Sequence, residues 1–125
     1  WYLRKTGSIS ISRNKITKEN LNFIEKVKKK IRETGSPLII FPQATRVLPE
    51  DRVPFKKGVG RIYKELNMQC QPVAIDSGKV WPKNGAIKAN KTITVSILDP
   101  IDPGLEEKEF VGILENKIYS ELGIN

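Results

Sequence analysis

The sequence predicts an α/β domain with a mixed, largely parallel sheet flanked by helices, and three observations carry that prediction. Leu38-Ile39-Ile40-Phe41 is a continuous apolar run of the kind found in strands buried on both faces of a parallel sheet. Val73-Ala74-Ile75 is a second such run, and a helical pattern lies between the two. Strand, helix, strand in that order implies a right-handed crossover and parallel pairing.

In chain order, Ser8-Ile9-Ser10-Ile11-Ser12 alternates strictly, as a half-buried strand does, with Gly7 before it and Arg13 after. Thr17 is placed to cap a helix reaching about Thr34, with Leu21, Ile24, Val27 and Ile31 on one stripe and Phe23 widening it. Lys26, Lys28, Lys29, Lys30 and Arg32 lie mostly off that stripe. They read as an exposed face that could also graze anionic lipid. Gly35 and Pro37 stop the helix. After Phe41, Pro42 ends the strand because it has no N–H for a ladder bond.

The connection from Pro42 to Phe55 holds Arg46 and Arg52 and is stiffened by Pro49 and Pro54. Connections of that length are usually functional or disordered. A helix over 56–66 follows, with Val59, Ile62, Tyr63 and Leu66 on one face. Lys56, Lys57 and Gly58 fall in its first turn, where lysine opposes the helix dipole and a bound anion would relieve the conflict. Val80 to Gly85 reads as an irregular loop with Trp81 as its aromatic anchor. From Thr92 to Leu98, Ile93, Val95 and Ile97 alternate with Thr92, Thr94 and Ser96, predicting an apolar inner and a polar outer side. The last helix, over 105–122, buries Phe110, Leu114, Ile118 and Leu122. Glu106, Glu107 and Glu109 favour its N-terminal end, and Gly123 stops it.

Composition narrows the chemistry. At 125 residues the chain suits one domain. Lys and Arg number 22 against 14 Asp and Glu, a net charge of +8 that favours anionic partners. No run approaches the roughly 18 apolar residues of a membrane span. Histidine is absent, which removes His-based acid–base catalysis and His-ligated metal from this chain. The one cysteine, Cys70, excludes an internal disulfide and reads as a small buried hydrophobe. The sequence begins at Trp1, and its one methionine is Met68, so it reads as a domain truncated at its N-terminus. Specific nucleic-acid binding is not expected, since basic charge is unaccompanied by interleaved aromatics or a recognition motif.

Arg13, Arg46 and the Lys56/Lys57 pair fall at strand carboxyl ends and a helix N-terminus, the places where α/β sheets bind phosphate. There the chain resembles the 1-acyl-sn-glycerol-3-phosphate acyltransferases. Their G-x-x-F-I-D-R motif is similar to Gly7-Ser8-Ile9-Ser10-Ile11-Ser12-Arg13, and F-P-E-G-T-R to Phe41-Pro42-Gln43-Ala44-Thr45-Arg46. Their F-K-x-G stretch resembles Phe55-Lys56-Lys57-Gly58, and V-P-V-A-I resembles Gln71-Pro72-Val73-Ala74-Ile75.

This resemblance implies a glycerolipid acyltransferase fold and transfer of a fatty acyl group to lysophosphatidate, giving phosphatidate for phospholipid biosynthesis. Acyl-CoA or acyl-acyl carrier protein would serve as co-substrate, with no other cofactor and no metal. It implies that Arg13 and Arg46 hold the phosphate, that Lys56 or Lys57 adds charge with Gly58 beside them, and that Gln43 and Thr45, with Ala44 in the same turn, orient the acceptor. Pro72 and Val73 would shape the acyl-donor side, although Thr45 reads equally as a turn hydroxyl and Pro72 as a strand-start residue. The family's H-x-x-x-x-D motif, source of its catalytic His and Asp, is expected upstream of Trp1, so no catalytic residue is assigned in this chain and the piece alone is expected to be inactive. Expected partners are lysophosphatidate, the acyl donor and its carrier protein, and an anionic membrane surface, at the cytoplasmic face of a bacterial inner membrane. Gln43 and Ala44 stand where the family has Glu and Gly, and Ser10 and Ser12 where it has Phe and Asp. Those departures leave open another lysolipid acceptor, or a phosphate- or lipid-binding module without catalysis.

Overall fold

The structure, a computed structural model, describes residues 22–124. It divides into two compact units, Trp1–Ile39 and Ile40–Asn125. The strand expected over 8–12, Arg13 and the Thr17 cap lie outside the described residues.

In the first unit, helix α1 spans Phe23–Thr34 and buries Ile24 and Val27. Gly35 ends it in the left-handed region at φ 63°, donating its N–H to Ile31 O, the role its missing side chain suits.

The second unit is built on two helices, α2 (Lys57–Leu66) and α3 (Glu107–Glu121), and two short strands, β1 (Val73–Ile75) and β2 (Val95–Ile97). The apolar stripes read from the sequence meet here. Val59 and Tyr63 of α2 pack with Phe110, Leu114, Ile118 and Tyr119 of α3, joined by Phe55, Ala74 and Ile101. The Tyr63 and Phe110 rings stack 3.7 Å apart and nearly parallel. The Tyr63 hydroxyl, buried with its ring, donates to Asp102 O at 2.6 Å and accepts from Leu105 N–H at 3.2 Å. At Gly60 the helices come close enough that a β-carbon would lie 2.8 Å from Glu107 O and 2.9 Å from Val111 Cγ2.

Three expectations are corrected. The sheet among the described residues is one antiparallel pair, Val73 opposite Ile97 and Ile75 opposite Val95, and no parallel sheet is found. Leu38 to Phe41 forms no strand and is exposed, Ile39 by 77%. No strand pairs with it among the described residues, so apolar content alone does not make it one.

The third correction concerns the faces of the sheet. Ala74 is 1% exposed in the core, and Ser96 opposite it is half-buried, whereas Val73, Ile75, Val95 and Ile97 point outward. The alternation is real but its polarity is reversed. Because α3 brings the large side chains Phe110, Leu114 and Ile118 to this core, a close-packed interior leaves only small side chains room on the facing side of the strands.

Candidate functional site

Phe41 to Ala44 closes a turn in which Ala44 N–H bonds to Phe41 O at 3.0 Å. Pro42, with its fixed φ, suits the second position of such a turn. Ala44 then sits at φ 59°, a left-handed conformation that its methyl makes costly and a glycine would accept freely. Ala44 stands here where the F-P-E-G-T-R pattern has glycine, the residue that this backbone angle suits.

The 42–56 connection returns to this turn, because Lys56 N–H bonds to Pro42 O at 2.9 Å. One hydrogen bond thus brings the start of α2 against the Gln43–Arg46 turn, joining two of the cationic points expected from sequence. Lys56 caps α2 with no side-chain hydrogen bond, the first turn holds no acid, and Lys57 and Gly58 are exposed. That end presents free N–H groups and positive potential.

The two arginines of the connection have different duties. Arg52 donates through Nη2 to Asn116 Oδ1 at 2.7 Å, approaches Glu115 Oε1 at 3.6 Å and lies 5.3 Å from the Tyr119 ring centroid. Nearby, Glu115 Oε2 accepts Phe55 N–H at 2.9 Å. The Tyr119 hydroxyl donates to Val53 O at 2.6 Å and accepts from Val53 N–H at 3.0 Å. Arg52 therefore helps clamp the connection onto α3. Arg46 is exposed and forms no ion pair or hydrogen bond among the described residues.

Gln43, Thr45 and Arg46 line a pocket of about 180 Å³ whose other wall includes Asp76, Lys79 and Trp81. The walls come near each other at Gly78 and Pro49, where a β-carbon on residue 78 would fall 3.3 Å from Pro49 Cγ. Asp76 is occupied structurally: Oδ1 accepts Thr94 N–H at 2.7 Å, and Oδ2 lies 4.0 Å from Lys79 Nζ.

Ala44, Lys56, Lys57 and Gly58 do not line this pocket, although Ala44 is in its turn and Lys56 is bonded to that turn. Pro72 is fully buried, and Val73 lies on the outward sheet face; neither reaches the pocket. Arg13 lies outside the described residues. Cys70 is half-buried, exchanges both backbone hydrogen bonds with Ile101, and has its thiol pKa raised by burial, which suits packing rather than chemistry. No group of acidic or cysteine side chains among the described residues could hold a metal ion.

The sequence reading did not assign Lys79, Lys83 or Trp81, all of which line the pocket. Trp81 is also no anchor: it is 61% exposed, and its neighbour Val80 is buried instead. A signal was present, since four lysines and no acid occur between Asp76 and Asp99.

Comparison with known proteins gives one finding. The family model described as Acyltransferase matches residues 1–76. No curated protein and no solved structure matches the chain.

Proposed function

Because the chain belongs to the acyltransferase family, we propose that the protein transfers a fatty acyl group from acyl-CoA or acyl-acyl carrier protein to 1-acyl-sn-glycerol 3-phosphate, giving phosphatidate at the cytoplasmic face of a bacterial membrane. The observation that carries this reading is the Gln43–Arg46 turn, with an arginine that has no partner among the described residues lining a pocket, and a helix start without a side-chain cap bonded alongside. A guanidinium fork grips phosphate oxygens in two places, and the helix end adds field of the same sign. Arg13, in the G-x-x-F-I-D-R-like segment, is the second arginine proposed for the phosphate.

Size supports a headgroup site. At about 180 Å³ the pocket is smaller than the roughly 300–1,000 Å³ of sites enclosing drug-sized ligands, so it suits a glycerol phosphate and leaves an acyl chain outside. Gln43 and Thr45 would orient the acceptor by hydrogen bonds, with no charge contributed by Gln43. In the reaction the acceptor hydroxyl attacks the thioester carbonyl, its proton passes to a general base, the new ester forms and the thiol leaves protonated. Holding the phosphate fixes that hydroxyl and lowers the barrier through orientation. With no histidine in these residues, the base is proposed to lie in an H-x-x-x-x-D segment outside them.

The test is Arg46→Ala in the full-length protein, assayed for acyl transfer to lysophosphatidate. Loss of a charge-assisted hydrogen bond, about 1.5–3 kcal/mol, corresponds to roughly a 10- to 150-fold rise in acceptor KM with little change in donor KM. Equal changes in both would remove Arg46 from the phosphate. No transfer by the unmutated protein to any lysophospholipid, with binding retained, would leave a lipid-binding module.

A further inference from the structure

Between β1 and β2 the chain makes a long excursion, residues 76–94, that contributes little to the core. Val80 is buried there, and Lys88 N–H bonds to Val80 O at 2.9 Å, folding the excursion so that its two limbs adjoin. That bond closes a loop whose two ends carry Trp81 and Ile87. Both are 61% exposed. The same stretch of chain carries Lys79, Lys83, Lys88 and Lys91, all exposed. Lys79 is 4.0 Å from Asp76 Oδ2, whereas Lys83, Lys88 and Lys91 have no ion-pair partner among the described residues.

Two large apolar side chains exposed to water, in a stretch with four lysines and no acid between Asp76 and Asp99, match one kind of partner. Apolar tips enter the headgroup region of a bilayer, tryptophan favours that depth, and lysines attract anionic headgroups over about a Debye length. We infer that the 79–91 excursion docks the protein on an anionic lipid bilayer, with Trp81 and Ile87 inserted and Lys83, Lys88 and Lys91 on the headgroups. Trp81 and Lys83 also line the pocket, so docking sets the pocket mouth at the lipid surface. The inference rests on the acyl-transfer reading only for the direction in which a lipid would enter. No helix among the described residues is long and apolar enough to cross a membrane.

The experiment measures sedimentation of the 125-residue chain with vesicles of phosphatidylcholine containing phosphatidylglycerol, and with vesicles of phosphatidylcholine alone. Binding is expected to the anionic vesicles and to fall with salt. Lys83→Ala with Lys88→Ala should weaken it about 25-fold, taking roughly fivefold per lysine near the surface. In a Trp1→Phe background, which leaves Trp81 as the one tryptophan, emission should shift to the blue on anionic vesicles. Trp81→Ala with Ile87→Ala should weaken binding while leaving circular dichroism unchanged.

Three results would overturn the inference. In one, Lys26→Ala with Lys30→Ala on α1 weakens binding as much as the loop pair, which would mean attraction by net charge. In another, binding survives the loop changes and is lost with Ile97→Asn, assigning the bilayer to the outer sheet face. In the last, saturable binding of an acidic acyl carrier protein occurs without vesicle binding. Because no turnover is measured, failure of the acyl-transfer reading leaves this result interpretable by itself.

Discussion

Ala44 holds a backbone angle that a single methyl disfavours, and it does so in the turn that carries Gln43, Thr45 and Arg46. An L-residue in the left-handed region costs about 1–2 kcal/mol, part of which is offset because alanine has less freedom than glycine in the unfolded chain, about 0.4–1 kcal/mol. Ala44→Gly is therefore expected to stabilise the protein slightly, raising Tm by roughly 2–4 °C in a thermal melt. Cys70 supplies a second check at this scale. Burial disfavours its thiolate, so the pH of half-maximal iodoacetamide labelling should lie above that of a free cysteine and fall to the ordinary value on unfolding. The same shift means that unfolding releases this proton more readily. Its stabilising effect is complete below the unfolded thiol's pKa and is lost as pH rises through the folded one.

At the scale of elements, Gly60 sets how closely α2 and α3 approach. Gly60→Ala forces a methyl against Glu107 O and should cost about 1–3 kcal/mol, read as a lower denaturation midpoint. Gly112→Ala, in α3 with open space around its β-carbon, should instead stabilise by up to about 1 kcal/mol through helix propensity. The two glycines separate packing from propensity on the same pair of helices. Both helices were legible in the sequence to within about two residues, because a stripe at three- and four-residue spacing is a local signal and each helix has a partner for it. The position of β1 was legible for the same reason. Its pairing was not, since the choice between Leu38–Phe41 and Val95–Ile97 is made by contacts far apart in the chain. Nor was the inward side of β2: alternation shows that two faces differ, whereas the bulk of Phe110 and its neighbours decides which one turns in. Of the site, the turn and the α2 start were readable as motifs, but Trp81 and Lys83 belong to no motif and join the pocket through the fold.

Taken whole, the molecule presents a good deal of apolar surface for its size. Val73, Ile75, Val95 and Ile97 form the outer face of the sheet, Ile97 with 74% of its surface exposed. An exposed apolar face of this kind offers a site for apolar dyes. The 125-residue chain should enhance the fluorescence of 1-anilinonaphthalene-8-sulfonate, and Val73→Thr with Ile97→Thr should reduce the signal without changing secondary structure. Unchanged dye binding in that variant would locate the sticky surface elsewhere, at Leu38 to Phe41 for instance.

The narrow gap between Gly78 and Pro49 has its own consequence. Residue 78 is a spacer between the two walls, and glycine is the thinnest one available. A β-carbon there would press on Pro49 Cγ and part the pocket walls by tenths of an ångström, widening the opening while leaving the side chains of Gln43, Thr45 and Arg46 unchanged.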